Sequence, residues 1–216
     1  MKMKRTNGRH TIEELAVQTL KASWIGIFLG VLIWSGINPH DYPTWMLEVA
    51  PAVIAAVILW YTRERFPLTR LTYILILVHS IILMVGGHYT YAEVPLGQWV
   101  QEAFDQTRNN YDKLGHLAQG FIPAIVAREI LIRKKVVNFP GWRDFIIVCI
   151  CLAISALYEL IEWWVALLSG DAADAFLGTQ GYVWDTQSDM WLALLGAVIG
   201  LVLLGRMHNR QLQSLL

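Results

Sequence analysis

The chain has 216 residues, 56% of them hydrophobic and only 16% charged, with a mean hydropathy of +0.44; it is more apolar than a soluble domain of this size, which points to a membrane. Seventeen basic and seventeen acidic residues cancel, so the basic face required by a nucleic-acid backbone is missing. Cys149 and Cys151 stand two positions apart inside an apolar run, a spacing that excludes a disulfide framework and a CxxC redox motif.

The basic leader Met1-Lys2-Met3-Lys4-Arg5 precedes the capping box Thr11-Ile12-Glu13-Glu14, which predicts a short helix opening into the first apolar run. No small-residue cleavage pattern follows that run, so residues 1–19 are read as a retained cytoplasmic segment. Six apolar runs follow, at 20–37, 45–61, 71–89, 114–132, 144–168 and 190–204. Each is near the roughly 17–25 residues that a spanning helix needs. No internal repeat or linker divides them. The expectation is one all-α domain over 1–216, a polytopic membrane protein of six transmembrane helices.

Orientation follows from the connections. Of the seventeen lysines and arginines, all but Arg108 and Lys113 fall in the leader, in alternate connections, at the C-terminus or beside the same helix ends. The positive-inside rule then makes both termini cytoplasmic. The outer connections are acidic and unequal. Residues 37–44 form a turn with Pro39 and Pro43. Residues 86–111 carry Leu96, Trp99, Val100, Ala103 and Phe104 at helical spacing, the stripe of a short helix lying on the outer surface or packed against the bundle. Residues 169–188, punctuated by Gly170, Gly178 and Gly181, read as a lid or binding loop, with Asp171 and Asp174 on a solvated face.

Charged groups gather at the outer level. Asp112, His116 and Gln119 stand at i, i+4 and i+7 and share one helix face. Glu159 and Glu162 are i, i+3 neighbours in the outer half of the fifth run, where an unpaired carboxylate costs on the order of 2–3 kcal/mol or more. They must face inward and find partners, and His116 and Lys113 are the available cations. Asp185 and Asp189 lie one turn apart at the start of the sixth run, above Gly196 and Gly200, a small-xxx-small pair that admits a neighbouring backbone. His88 and Glu93 close the third run. His79 lies deeper and reads as a histidine satisfied by a backbone carbonyl. The candidate catalytic set is His116, Glu159, Glu162, Asp112, Asp185 and Asp189. Candidate substrate contacts are His88, Glu93, Lys113, Gln119, Gln180 and Tyr182. His116, Glu159, Glu162 and Asp189 are the candidate ligands of a divalent metal, although no HExxH signature is present.

The stretches Asp112-Lys113-Leu114-Gly115-His116, Tyr158-Glu159-Leu160-Ile161-Glu162-Trp163-Trp164 and Gly178-Thr179-Gln180-Gly181-Tyr182-Val183-Trp184-Asp185-Thr186-Gln187-Ser188-Asp189 resemble the YjdF family of bacterial inner-membrane proteins. The likeness runs from Trp34 to about Gly205. It implies a six-helix inner-membrane protein of a family without an assigned activity. The order Asp-Lys-x-x-His, a membrane glutamate, then paired aspartates before a glycine-bearing last helix is also similar to VanZ proteins. It departs from them in lacking the arginine and asparagine that accompany their aspartates.

Three functions remain open on this reading. The cluster could serve a hydrolase or transferase working at the outer face on a lipid or lipid-linked envelope compound. It could bind or transport a small molecule or relay protons. It could be an ion network that only fixes helix register.

Overall fold

The structure is a computed structural model that describes residues 4–169 and 180–216, and side chains from residue 18 onward except that of Ser169. The side chains of the capping box Thr11–Glu14, and Gly170, Asp171, Asp174 and Gly178 of the last long loop, lie outside the described residues. Among the described residues the chain is all-helical, without strands: α1 (Lys4–Ser35), α2 (Tyr42–Thr62), α3 (Arg70–Tyr89), a 3-10 turn (Tyr91–Glu93), α4 (Pro95–Ala103), α5 (Tyr111–Arg133), α6 (Pro140–Ser169) and α7 (Asp185–Leu212). The expected short leader helix is instead continuous with the first apolar run, as α1. Among the described residues four helices, α2, α3, α6 and α7, are long and apolar enough to cross a membrane.

Local signals set several of the boundaries. Asp41 caps α2 by accepting from the Thr44 N–H at 2.8 Å, with Pro43 in the first turn where it has no amide hydrogen to waste. Thr69 caps α3 by accepting from the Thr72 N–H. α3 stops at Thr90, whose φ of +59° is a left-handed conformation that a β-branched residue adopts only under tertiary constraint. That turn sends the Tyr91 ring back into a slot between α3 and α5. Gly86 and Gly115 form the slot, and a Cβ on Gly86 would overlap the ring.

The six long helices run alternately between two ends of the bundle. At one end, hereafter the head, Ser35 of α1 meets Trp45 of α2 and His88 of α3, and His116 of α5 meets Glu159 of α6. At the other end, the foot, Trp24 of α1 donates to the Tyr73 carbonyl of α3, and Thr69 meets Glu129 of α5. Two half-bundles result. α1, α2 and α3 close on Phe28, Val49, Ala52, Leu77 and Met84, while α5, α6 and α7 close on Ala124, Leu131, Ile147, Cys151 and Ala197. The halves meet chiefly along α3 and α5.

α5 is the central helix, with neighbours on three sides, which is why it carries polar residues that a lipid-facing helix could not. Its packing against α7 is the most extensive in the molecule. The small-xxx-small pair meets α5 as expected. A Cβ on Gly196 would overlap the Leu117 carbonyl, and one on Gly200 would crowd that of Phe121. α5 reciprocates with Gly120, where a Cβ would overlap the Ala193 backbone. The stripe on α4 faces away from the bundle: Leu96, Trp99, Val100 and Phe104 are exposed, so packing on the core is not its role.

Candidate functional site

Asp112, His116 and Gln119 share one face of α5, as the spacing requires. His116 is buried, with Nε2 3.3 Å from Asp112 Oδ1 and Nδ1 3.2 Å from Gln119 Oε1. Glu159 enters from α6 and brings Oε1 to 3.8 Å from His116 Nδ1. Glu162, one turn on, is half-buried and lies on the same side. Asp189 enters from α7 and is 2% exposed. Ligating atoms of Asp112, His116 and Asp189 all lie within 4.8 Å of one another, and so do those of His116, Glu159 and Glu162. Four carboxylates from three helices therefore surround one imidazole.

The α5–α7 glycines hold this arrangement together. Because the two backbones touch one helical turn below the site, Asp189 is carried to His116 with no side chain between them. The α6 pair is inward-facing because α6 packs on both α5 and α7.

Below the cluster lies a cavity of about 870 Å³ between the two half-bundles. Its head is walled by Glu48, Tyr91, Asp112, His116, Tyr158 and Glu162. Its shaft is apolar, with residues such as Ala55, Ile76, Ile122, Val126 and Ile154, and its foot reaches Thr62, Arg65 and Lys134. From Glu48 to Arg65 the helical rise gives a length of about 25 Å. That is a crevice with the proportions of an extended alkyl chain beneath a polar head.

Other candidates go elsewhere. Lys113 does not pair with a buried glutamate; its Nζ donates to Ser188 Oγ at 2.6 Å and sits 4.9 Å over the Tyr182 ring. Asp185 is taken by Arg108, whose Nη1 donates at 2.6 Å, with Tyr182 beneath that guanidinium as well. Arg108 thus reaches Asp185 from 77 positions away in the sequence. Gln180 clamps the backbone of Asn109, accepting from its N–H and donating to its carbonyl. His88 and Glu93 are not at the cluster. His88 contacts the Ser35 carbonyl and packs against the Trp34 ring and edge-on against Tyr89, on the α1 side of α3, and Glu93 is an exposed partner of His40. The expectation for His79 also fails at one nitrogen: Nε2 is buried with no hydrogen-bond partner, and the ring lines the crevice.

Two head-end groups have no counterpart in the sequence reading. Glu48 of α2 is 3% exposed and accepts from Tyr158 Oη at 2.8 Å. Its signal was a lone carboxylate in an apolar run, of the kind that flagged Glu159. Tyr91, in the turn outside the long helices, faces Glu48, and burial pushes its phenol well above the ordinary range, keeping it a neutral donor.

A second buried network sits at the foot. Glu129 is fully buried and accepts from the Thr69 N–H and Oγ1, from Thr72 Oγ1 and from Arg133 Nη1, at 2.7 to 3.0 Å. His208 of α7 bridges it to Arg128, with Nε2 3.1 Å from Glu129 Oε2 and Nδ1 3.1 Å from Arg128 Nη1. Arg128 also donates to Asn209 Oδ1. Each charged group there is matched by a donor or acceptor, the mark of a structural clamp joining α3, α5 and α7. The head cluster differs: Glu159 Oε1 and Asp189 Oδ1 are buried without hydrogen-bond partners.

Comparison with known proteins gives two findings. Residues 20–210 match the family described as predicted membrane protein, DUF2238. The chain is also 56% identical over 183 residues to the inner membrane protein YjdF of Escherichia coli (strain K12), an alignment that covers 85% of this chain and 88% of that protein. No solved structure matches.

Proposed function

The chain belongs to the DUF2238 family of membrane proteins, and from that premise we propose that it is a six-span inner-membrane protein that binds and transforms a lipid or lipid-linked envelope compound at its head end. Both termini are cytoplasmic and the head faces the periplasm in this reading. The alternate running of six long helices and the basic residues at the foot, Arg63, Arg65, Arg133, Lys134, Arg143 and Arg206 among them, support it. α4, with its apolar stripe exposed, lies on the periplasmic membrane surface.

The observation that carries the proposal is the crevice, about 25 Å long from end to end, whose apolar shaft ends under His116 and a group of carboxylates. The shaft takes the chain and the cluster takes the polar head. Glu159 and Glu162 are the acid and base of a hydrolysis or group transfer. One takes the proton of the attacking hydroxyl or water, and the other gives a proton to the leaving oxygen. His116 bridges the pair to Asp112 and Asp189.

Passage of a ligand between the two ends has one observation in its favour, the extension of the crevice to Arg65 and Lys134. The shaft argues against it for a polar solute, which would shed its water against alkyl side chains with few polar groups, His79, Ser80 and Gln119, to replace it. The test is comparison of envelope lipids from cells with the protein, without it, and with Glu159→Gln. One lipid class should shift on deletion and in the variant alike. An unchanged profile, together with purified protein that carries no lipid, would overturn the reading.

A further inference from the structure

Among the buried polar groups of the head, Asp112, His116 and Asp189 bring three ligating atoms within 4.8 Å of one another and leave one buried oxygen, Asp189 Oδ1, without a hydrogen-bond partner. His116 Nδ1 faces two oxygens, Gln119 Oε1 at 3.2 Å and Glu159 Oε1 at 3.8 Å. A carboxylate oxygen only accepts, so the Nδ1 side of the ring carries the proton. Nε2 faces Asp112 Oδ1 at 3.3 Å, and between these two atoms there must be either a second ring proton or a cation that both ligate. Asp189 Oδ1 is buried and has no partner. Of the basic side chains nearby, Arg108 places Nη1 on Asp185 and Lys113 places Nζ on Ser188, and neither forms an ion pair with Asp189.

We propose that Asp112, His116 Nε2 and Asp189 bind a divalent first-row metal ion, Zn²⁺ or Mn²⁺, at the head of the crevice. Two ligands each about 2.1 Å from a tetrahedral zinc lie about 3.4 Å apart, and the observed Nε2 to Oδ1 separation is 3.3 Å. The donor set, one imidazole and two carboxylates, suits these ions and leaves a fourth position open. Glu159 and Gln119 act from behind the histidine: they hold the Nδ1 proton, fix the tautomer and raise the basicity of Nε2, the arrangement found around metal-bound histidines. The double charge of the ion offsets the two aspartates, which a single proton on His116 would not. The site does not depend on what the crevice takes, and metal content is read on the purified chain whether or not a lipid is found.

The test uses the full chain purified in detergent without chelator. Elemental analysis should find about one zinc or manganese per chain. Chelator-stripped protein should rebind Zn²⁺ or Mn²⁺, with Tm rising by roughly 5–10 °C when the ion is at about 100 times its Kd. Asp189→Asn should lose most of the metal and of the Tm response, whereas Asp185→Asn, whose partner is Arg108, should keep both. Because an aspartate variant can fail to fold, the titration of stripped wild-type protein decides independently. Sub-stoichiometric metal as purified and no Tm response of stripped wild type to either ion would overturn the proposal, as would full metal retention in folded Asp189→Asn.

Discussion

Tyr158 of α6 donates to Glu48 of α2 across 2.8 Å, a bridge between the two half-bundles over the head of the crevice. Tyr158→Phe removes the donor while keeping the ring and leaves a buried carboxylate oxygen short of a partner. The expected cost is about 1–3 kcal/mol, measured as a fall in Tm in detergent. An unchanged Tm would mean that the bridge does not close the crevice in solution.

The α5–α7 contact predicts opposite results for the same substitution at two glycines. Gly120→Ala puts a methyl group into the Ala193 backbone, and overpacking of this kind costs about 1–3 kcal/mol or more. Gly30→Ala in α1 meets nothing within 4 Å and gains helix propensity of up to about 1 kcal/mol. Expression level and thermal unfolding of the pair decide the matter, and equal behaviour would mean that α5 and α7 do not touch as described.

At the foot, Glu129→Ala should be among the most damaging single changes. It strips a fully buried hub from Thr69, Thr72, Arg133 and His208 at once and leaves buried cationic and donor groups unmatched, at about 3–5 kcal/mol. Folded protein recovered by size-exclusion chromatography is the readout. Near wild-type recovery would show that the network is dispensable.

Asp41 gives a pH-dependent prediction with a fixed sign. Its carboxyl is held below the ordinary value of 3.8 by hydrogen bonding to Thr44. A depressed carboxyl contributes stability that is full above the ordinary value and is lost as pH falls through the folded one. Asp41→Ala should therefore cost about 1 kcal/mol at neutral pH, and the gap in Tm between the two proteins should narrow below pH 3.8. A gap that widens on acidification would be inconsistent with the cap.

Depth was legible in the sequence, and azimuth was not. Counting residues along an apolar run places Glu159, Asp189, His116 and His88 at one level, and in the structure all four lie toward the head. It does not say which way each helix is turned. Where a rule fixed the face, the reading held: Asp112, His116 and Gln119 share one because they are four and three residues apart, and Gly196 and Gly200 had to meet a backbone. His88 had no such constraint and turns toward Trp34. Long-range partners were equally out of reach. Nothing local to Asp185 names Arg108, and nothing local to Glu129 names His208, 79 positions on. Glu48 could have been found by the argument applied to Glu159, since a carboxylate in an apolar helix needs an inward face wherever it occurs.

The backbone contact between α5 and α7 has a mechanical consequence. Asp112, His116 and Asp189 ride on one stiff strut, because helices touching at Gly120, Gly196 and Gly200 have no side-chain slack to slide on. Glu48, Tyr158, Glu159 and Glu162 are mounted on α2 and α6, the flanking walls. If those walls part to admit a guest, the triad keeps its spacing while the surrounding acids swing away. Opening of the crevice would then change the acids around the triad without changing the triad itself.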